Sequence, residues 1–289
     1  MTRALVLGGG GPVGIAWESG LAVGLAEAGI AWGDADLIVG TSAGSVVGGR
    51  LALGLDLAAG VGSVSGPLPA KPGAGEGLEQ LLKAWAAAAA SGLSPAETRI
   101  ELGRIALAAD TVDEADFISV FAEVAGHPWP AAFRCTAIDV LTGALQVWDA
   151  DSGADLARAV ASSCAVPGVF PPITIGGARY MDGGMRTAMN ADLAAGHDAV
   201  IAVSCMALAL PAGLSDPMFD AISRQVEAEF SAVRDSGAAL EVVGPGAEFL
   251  ELSGWGASLM NPALTADAYQ AGLRQAAAEA ERLRPVWAS

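Results

Sequence analysis

An α/β domain built on a sheet with parallel members is what this 289-residue sequence predicts, and three observations carry the prediction. Residues 4–7 and 37–39 are short runs that are apolar throughout rather than alternating, the pattern of strands buried on both faces. Each leads into a helix-like stretch, residues 15–28 and 43–53, giving the order strand–helix–strand–helix. With 53% hydrophobic and 16% charged residues, the chain has ample material for a sizeable core and does not read as disordered.

The first strand runs into glycines, and the first helix stops at Gly29, which suits a C-terminal cap because it has no side chain. The second helix is rich in small residues. Residues 60–77, rich in Gly, Pro and Ser, read as a loop. Residues 76–90, 94–109 and 113–125 read as helices, and Ser94-Pro95-Ala96-Glu97 is an N-cap with proline at the first helical position. This block, about 55–128, is expected as an insertion or cap over a cleft. Sheet signals return at 133–140 and 144–148, around a turn at Leu141-Thr142-Gly143. Residues 155–162 read as a short helix, and 173–175 with 179–181 as a hairpin around Gly176-Gly177. Residues 199–204 and 240–243 are further buried strands, and 215–236 and 265–283 are long helices. Without an internal repeat or interdomain linker, the expectation is a single domain over residues 1–289 carrying the helical insertion.

A formal net charge of −17 leaves no basic footprint for nucleic acid and opposes docking on an anionic bilayer by electrostatics alone. Cys135, Cys164 and Cys205 lie far apart, lack metal-ligand spacing, and read as reduced core thiols. Residues 199–215, the longest uncharged stretch, contain Pro211 and fall short of a membrane-spanning helix. One basic residue and a very short apolar run near the N-terminus do not make a signal h-region. A cytoplasmic protein with no cofactor, no metal and no nucleic-acid partner is expected.

Gly40-Thr41-Ser42-Ala43-Gly44 is a G-x-S-x-G segment between a buried strand and a helix. A serine on such a sharp turn has its Oγ lifted clear of the backbone, and the flanking glycines avoid a Cβ clash with strand or helix. The helix N-terminus adds positive dipole and free N–H groups beside it. The run Gly8-Gly9-Gly10-Gly11-Pro12-Val13-Gly14 lies between the first strand and helix, where successive glycines let N–H groups face one bound oxygen. Gly9, Gly11 and Gly14 also fit the dinucleotide fingerprint G-x-G-x-x-G. That fold places an acidic residue at the end of its second strand, whereas Asp34 and Asp36 precede this strand and Gly40-Thr41-Ser42 end it. A serine nucleophile needs a base. The two histidines, His127 and His197, read as turn or connection residues. Asp182, in Tyr180-Met181-Asp182-Gly183-Gly184 at a strand end, is the better partner.

These three motifs, in this order, resemble the patatin-like phospholipase family. Residues 161–172, small residues followed by prolines, look like the segment that precedes D-G-G there. The resemblance runs from about Leu5 to the strand at Ala199, and more loosely over the rest. It implies a patatin-type three-layer α/β sandwich with a central, mostly parallel sheet. It also implies hydrolysis of lipid acyl esters through a Ser–Asp dyad and an acyl-enzyme. Ser42 matches the nucleophile, Asp182 the dyad acid, Gly9, Gly10 and Gly11 the oxyanion loop, and Gly40 and Gly44 the nucleophile elbow. Val13 occupies the position where many members carry Lys or Arg, so acyl hydrolysis is implied more firmly than recognition of a phosphate head group. The expected partner is an acyl ester or lipid, with transient membrane contact. The alternative is a binding or regulatory protein on the same fold with an idle serine.

Overall fold

The computed structural model describes residues 1–59, 71, 74–210 and 216–287. Its strands are β1 (Arg3–Leu7), β2 (Leu37–Gly40), β3 (Phe133–Asp139), β4 (Leu145–Trp148), β5 (Ile173–Ile175), β6 (Ala178–Asp182), β7 (Ala199–Val203) and β8 (Ala239–Val243). They form one eight-stranded sheet in the order β5-β6-β3-β2-β1-β7-β8, with β4 also pairing β3. The run from β3 to β8 is parallel, and antiparallel pairs are confined to the end that holds β4, β5 and β6. β2 and β7 are buried along their whole length, and β1 is buried beyond Arg3. That is why they read as unbroken apolar runs: a parallel sheet covered on both faces has no polar side.

The helices are α1 (Gly11–Glu27), α2 (Ala43–Leu53), α3 (Ala74–Ala90), α4 (Pro95–Ala108), α5 (Glu114–Ser119), α6 (Leu156–Ser163), α7 (Pro217–Asp235), α8 (Ala247–Leu252) and α9 (Thr265–Trp287). Alternation along β1 sets the layers. Leu5 and Leu7 share a core with Leu21 of α1, Val47 of α2 and Leu283 of α9. Ala4 and Val6 face the other way, toward Val226, Phe230 and Val233 of α7. The sheet therefore lies between two helical layers, a three-layer α/β sandwich. At its antiparallel end, Leu81 of α3 and Leu102 and Ala106 of α4 pack with Ile138 and Met181.

The small residues of α1 serve close helix packing. A Cβ on Gly20 would lie 2.1 Å from the Tyr269 carbonyl oxygen, and one on Gly272 would lie 2.2 Å from that of Trp17. Because the sheet, α2 and α9 surround it, α1 has no amphipathic stripe. It begins at Gly11 rather than residue 15, since Pro12 stands in the first turn, where its missing N–H has no helical partner to lose. The helix expected over 113–125 is shorter: α5 ends at Ser119 and a 3₁₀ turn covers Ala122–Val124. Phe121 leaves helical backbone there (φ −99°, ψ 21°), and its ring stands edge-on to Phe117 at 5.4 Å. α8 is six residues long, too short to show a period in the sequence. Most of the loop expected at 60–77 lies outside the described residues.

Candidate active site

β2 ends at Gly40 and α2 begins at Ala43, so Ser42 forms the corner between them. Its φ of 52° and ψ of −115° place an L-residue in a sparsely populated region, a strain of roughly 1–3 kcal/mol that the surroundings must hold. Glycine makes the corner possible on both sides. A Cβ on Gly40 would lie 2.5 Å from Ser45 Cα, and one on Gly44 would lie 2.1 Å from the Leu7 carbonyl oxygen. The end of α6 braces the turn. The Ser42 N–H donates to Ser163 Oγ at 3.0 Å, and the Ser42 carbonyl accepts from Ser45 Oγ at 2.7 Å and Cys164 Sγ at 3.3 Å. Sequence reasoning assigned Ser163 and Cys164 no role; the only signal was the small-residue segment at 161–172.

Strand register brings Asp182 to this corner. β4 pairs one edge of β3 from Cys135 to Ile138, so β2 and β6 share the other edge. On that edge Gly40 pairs with Cys135 and Asp182 with Ala137, which sets the C-terminal ends of β2 and β6 head to head. Asp182 is 2% exposed, and its Oδ1 accepts the Gly184 N–H at 2.7 Å. Burial pushes its carboxyl up to about 7, against the opposing pull of hydrogen bonding from the Gly184 N–H and the Ser42 side chain.

A buried polar net stiffens the junction. A Cβ on Gly183 would lie 2.2 Å from Thr136 Oγ1, so only glycine lets the loop after Asp182 pass. Thr136 and Thr41 share a hydrogen bond of 2.9 Å between their hydroxyls. The Asn190 amide donates to Thr41 Oγ1 and to the Thr187 carbonyl, both at 3.0 Å. Sequence reasoning passed over Thr136 and Asn190, which lie outside every motif.

The glycine loop runs beside the corner; a Cβ on Gly9 would stand 3.5 Å from Ser42 Cβ. Gly8 N–H donates to the Val203 carbonyl at 3.0 Å and Gly9 N–H to that of Ala188 at 2.8 Å. The N–H of Gly9, expected in the oxyanion loop, is thus engaged by the backbone. Among the described residues, the N–H groups of Gly10, Gly11 and Ala43 have no hydrogen-bond partner. Gly10 caps α1, while Gly11 and Ala43 begin α1 and α2, where the first turn leaves donors orphaned. The histidines are elsewhere. His127 precedes β3 and His197 precedes β7, at the N-terminal edge of the parallel strands, opposite the edge that holds Ser42.

The sequence matches the patatin-like phospholipase family over residues 5–195, about two thirds of the chain. The chain belongs to that family. No curated protein matches it significantly. Membership in the patatin-like phospholipases places it among lipid acyl hydrolases in general terms. In this member Val13, at the loop's usual basic position, is fully buried, and its N–H donates to the Leu259 carbonyl at 3.2 Å. Ser42 lines a narrow apolar pocket walled by Ile15 of α1, Val46 of α2, Phe117 of α5, Val160 of α6 and Phe170. Phe117 and Phe170 stack at 4.4 Å. Among the described residues, no group of three or more His, Cys, Asp and Glu is placed to hold a metal ion, and no helix is long and apolar enough to cross a membrane.

Proposed function

We propose that this chain is a serine acyl hydrolase in which Ser42 attacks an acyl ester and Asp182 is its base. The observation that carries the reading is a buried carboxyl, raised to about 7, facing a strained serine that opens onto an apolar pocket. An aspartate near its ordinary value of about 3.9 accepts a proton poorly at neutral pH, and burial brings this one close to the working range. The ionised Asp182 takes the hydroxyl proton as Ser42 Oγ bonds to the ester carbonyl carbon. The N–H groups of Gly10, Gly11 and Ala43 meet the developing oxyanion, and each such donor contributes roughly 10²–10³ in turnover. As the tetrahedral intermediate collapses, Asp182 returns the proton to the departing alcohol and the acyl group stays on Ser42. Water then gives a proton to Asp182 and attacks the acyl carbon, the acid leaves, and Ser42 recovers its proton. The acyl chain lies along the apolar wall.

Purified protein should be labelled by a fluorophosphonate at Ser42, located by peptide mass, and should hydrolyse p-nitrophenyl butyrate and octanoate. Ser42→Ala and Asp182→Asn should each remove turnover and keep a wild-type circular dichroism spectrum. Unchanged turnover in either variant refutes the dyad. A folded wild-type protein that neither labels nor turns over ester refutes the hydrolase reading and leaves a binding protein on this fold.

A further inference from the structure

The elbow carries two amides beside the nucleophile, that of Ser42 and that of Ala43, and nearby side chains decide which of them is open. The Ser42 N–H is taken by Ser163 Oγ at 3.0 Å. The next two amides are also paired, Gly44 with the Gly8 carbonyl and Ser45 with the Ser42 carbonyl, both at 2.9 Å. Between them the Ala43 N–H has no partner among the described residues, and its direction is set from behind. The peptide that joins Ser42 to Ala43 is trans and planar, so its N–H points opposite to its carbonyl. That carbonyl accepts from the Ser45 N–H, from Ser45 Oγ at 2.7 Å and from Cys164 Sγ at 3.3 Å. Each of these donors turns the Ala43 N–H the other way, away from Ser45 and Cys164.

The two serines reach Ser42 from different elements, Ser45 from the first turn of α2 and Ser163 from the last residue of α6. Both are fully buried, so neither hydroxyl trades its bond for water. Ser163 fixes the peptide before Ser42 and Ser45 the peptide after it, and together they hold Ser42 at φ 52° and ψ −115°. A residue in so sparsely populated a region relaxes once its restraints are removed, and that relaxation rotates the Ala43 N–H. Neither serine lines the apolar pocket, so neither touches the acyl chain. Resting on the acyl-hydrolase reading, we propose that Ser45 and Ser163 are positioning residues that aim the Ala43 N–H as an oxyanion donor, with Cys164 supporting Ser45.

The test is steady-state hydrolysis of p-nitrophenyl butyrate by Ser45→Ala and Ser163→Ala. A misdirected donor weakens binding of the transition state and leaves the bound ester as it was. Each variant should therefore lose about ten- to hundredfold in kcat, less than the roughly 10²–10³ for a donor removed outright, and keep KM within about twofold. An alkyl trifluoromethyl ketone reads the oxyanion directly: Ser42 Oγ bonds to its carbonyl carbon, Asp182 takes the hydroxyl proton, and the carbonyl oxygen is left as the anion. Its Ki should rise in each variant by the factor that kcat/KM falls. An unchanged kcat in either folded variant, or a lowered kcat with an unmoved Ki, overturns the proposal, whatever happens to thermal stability. Should one variant not fold, the other decides by the same two readings. Should neither fold, Cys164→Ala decides, with a few-fold loss of kcat and a matching rise in Ki expected and unmoved values overturning the proposal. An active wild type with unmoved variants refutes the positioning role alone, whereas a wild type that neither hydrolyses ester nor takes the fluorophosphonate refutes the hydrolase reading and this role with it.

Discussion

Replacing Asp182 with asparagine should abolish turnover and, above neutral pH, stabilise the protein. In the unfolded chain the carboxyl titrates near its ordinary value of about 3.9, and in the folded chain burial pushes it up to about 7. The folded state therefore holds this proton more tightly than the unfolded one. Wild-type stability falls as pH rises from about 4 to about 7, and this group costs nothing further above that window. At 1.36 kcal/mol per pKa unit the full span is about 4 kcal/mol, of which about 2–3 kcal/mol falls between pH 5 and pH 8. Asparagine keeps the shape, and its Oδ1 still accepts the Gly184 N–H, but it carries no charge at either pH. Glu18 and Glu229, which burial also raises, titrate alike in both proteins and cancel in the comparison. Urea unfolding of wild type and variant at pH 5 and pH 8 gives the answer. The stability of Asp182→Asn relative to wild type should improve by about 2–3 kcal/mol from the lower pH to the higher. The same buried base sets the pH profile of catalysis, so wild-type kcat/KM should rise about tenfold per unit below pH 7 and level off above it. Stability curves that stay parallel from pH 5 to pH 8 would refute the argument that this carboxyl is held uncharged by burial.

Gly44→Ala should lower stability by about 3 kcal/mol or prevent folding, because the new Cβ would meet the Leu7 carbonyl oxygen at 2.1 Å; thermal melts read this directly. Gly9→Ala and Gly10→Ala should differ sharply. At Gly9 the nearest atom is 3.5 Å away and the N–H already serves Ala188, so fluorophosphonate labelling should persist within a few-fold. At Gly10 the Cβ would lie 2.6 Å from Cys205 Sγ and displace a free donor, so labelling should slow by roughly 10²-fold or more. Asn190→Ala removes the donor shared by Thr41 and the Thr187 carbonyl and leaves alanine at a φ of 53°. It should cost about 2–3 kcal/mol in urea unfolding and reduce turnover, since Thr41 adjoins the nucleophile.

How far the site was legible depends on how local each requirement is. The corner at Ser42 is legible in five consecutive residues: Gly40 answers a clash with Gly44 and Ser45 inside the turn, and Gly44 one with Leu7 on the adjacent strand. Asp182 could be named from its two glycines, but its meeting with Ser42 depends on β2 and β6 sharing one edge of β3. The direction of the Gly9 amide depends on a carbonyl at residue 188, which no local pattern encodes. Ser163, Cys164 and Asn190 reach the elbow across 121, 122 and 149 residues of chain.

By itself, then, the sequence determined the parallel strands, the helices that cover them and the nucleophile's turn. Those follow from unbroken apolar runs and from glycines at a sharp turn, both of which can be read within a few residues of sequence. Tertiary structure alone decided which glycine amides stay free, how strongly the acid is desolvated, and that residues of four different helices wall an apolar pocket beside Ser42. Desolvation and pairing are properties of what surrounds a group from every side, and those surroundings come from segments far apart in the chain.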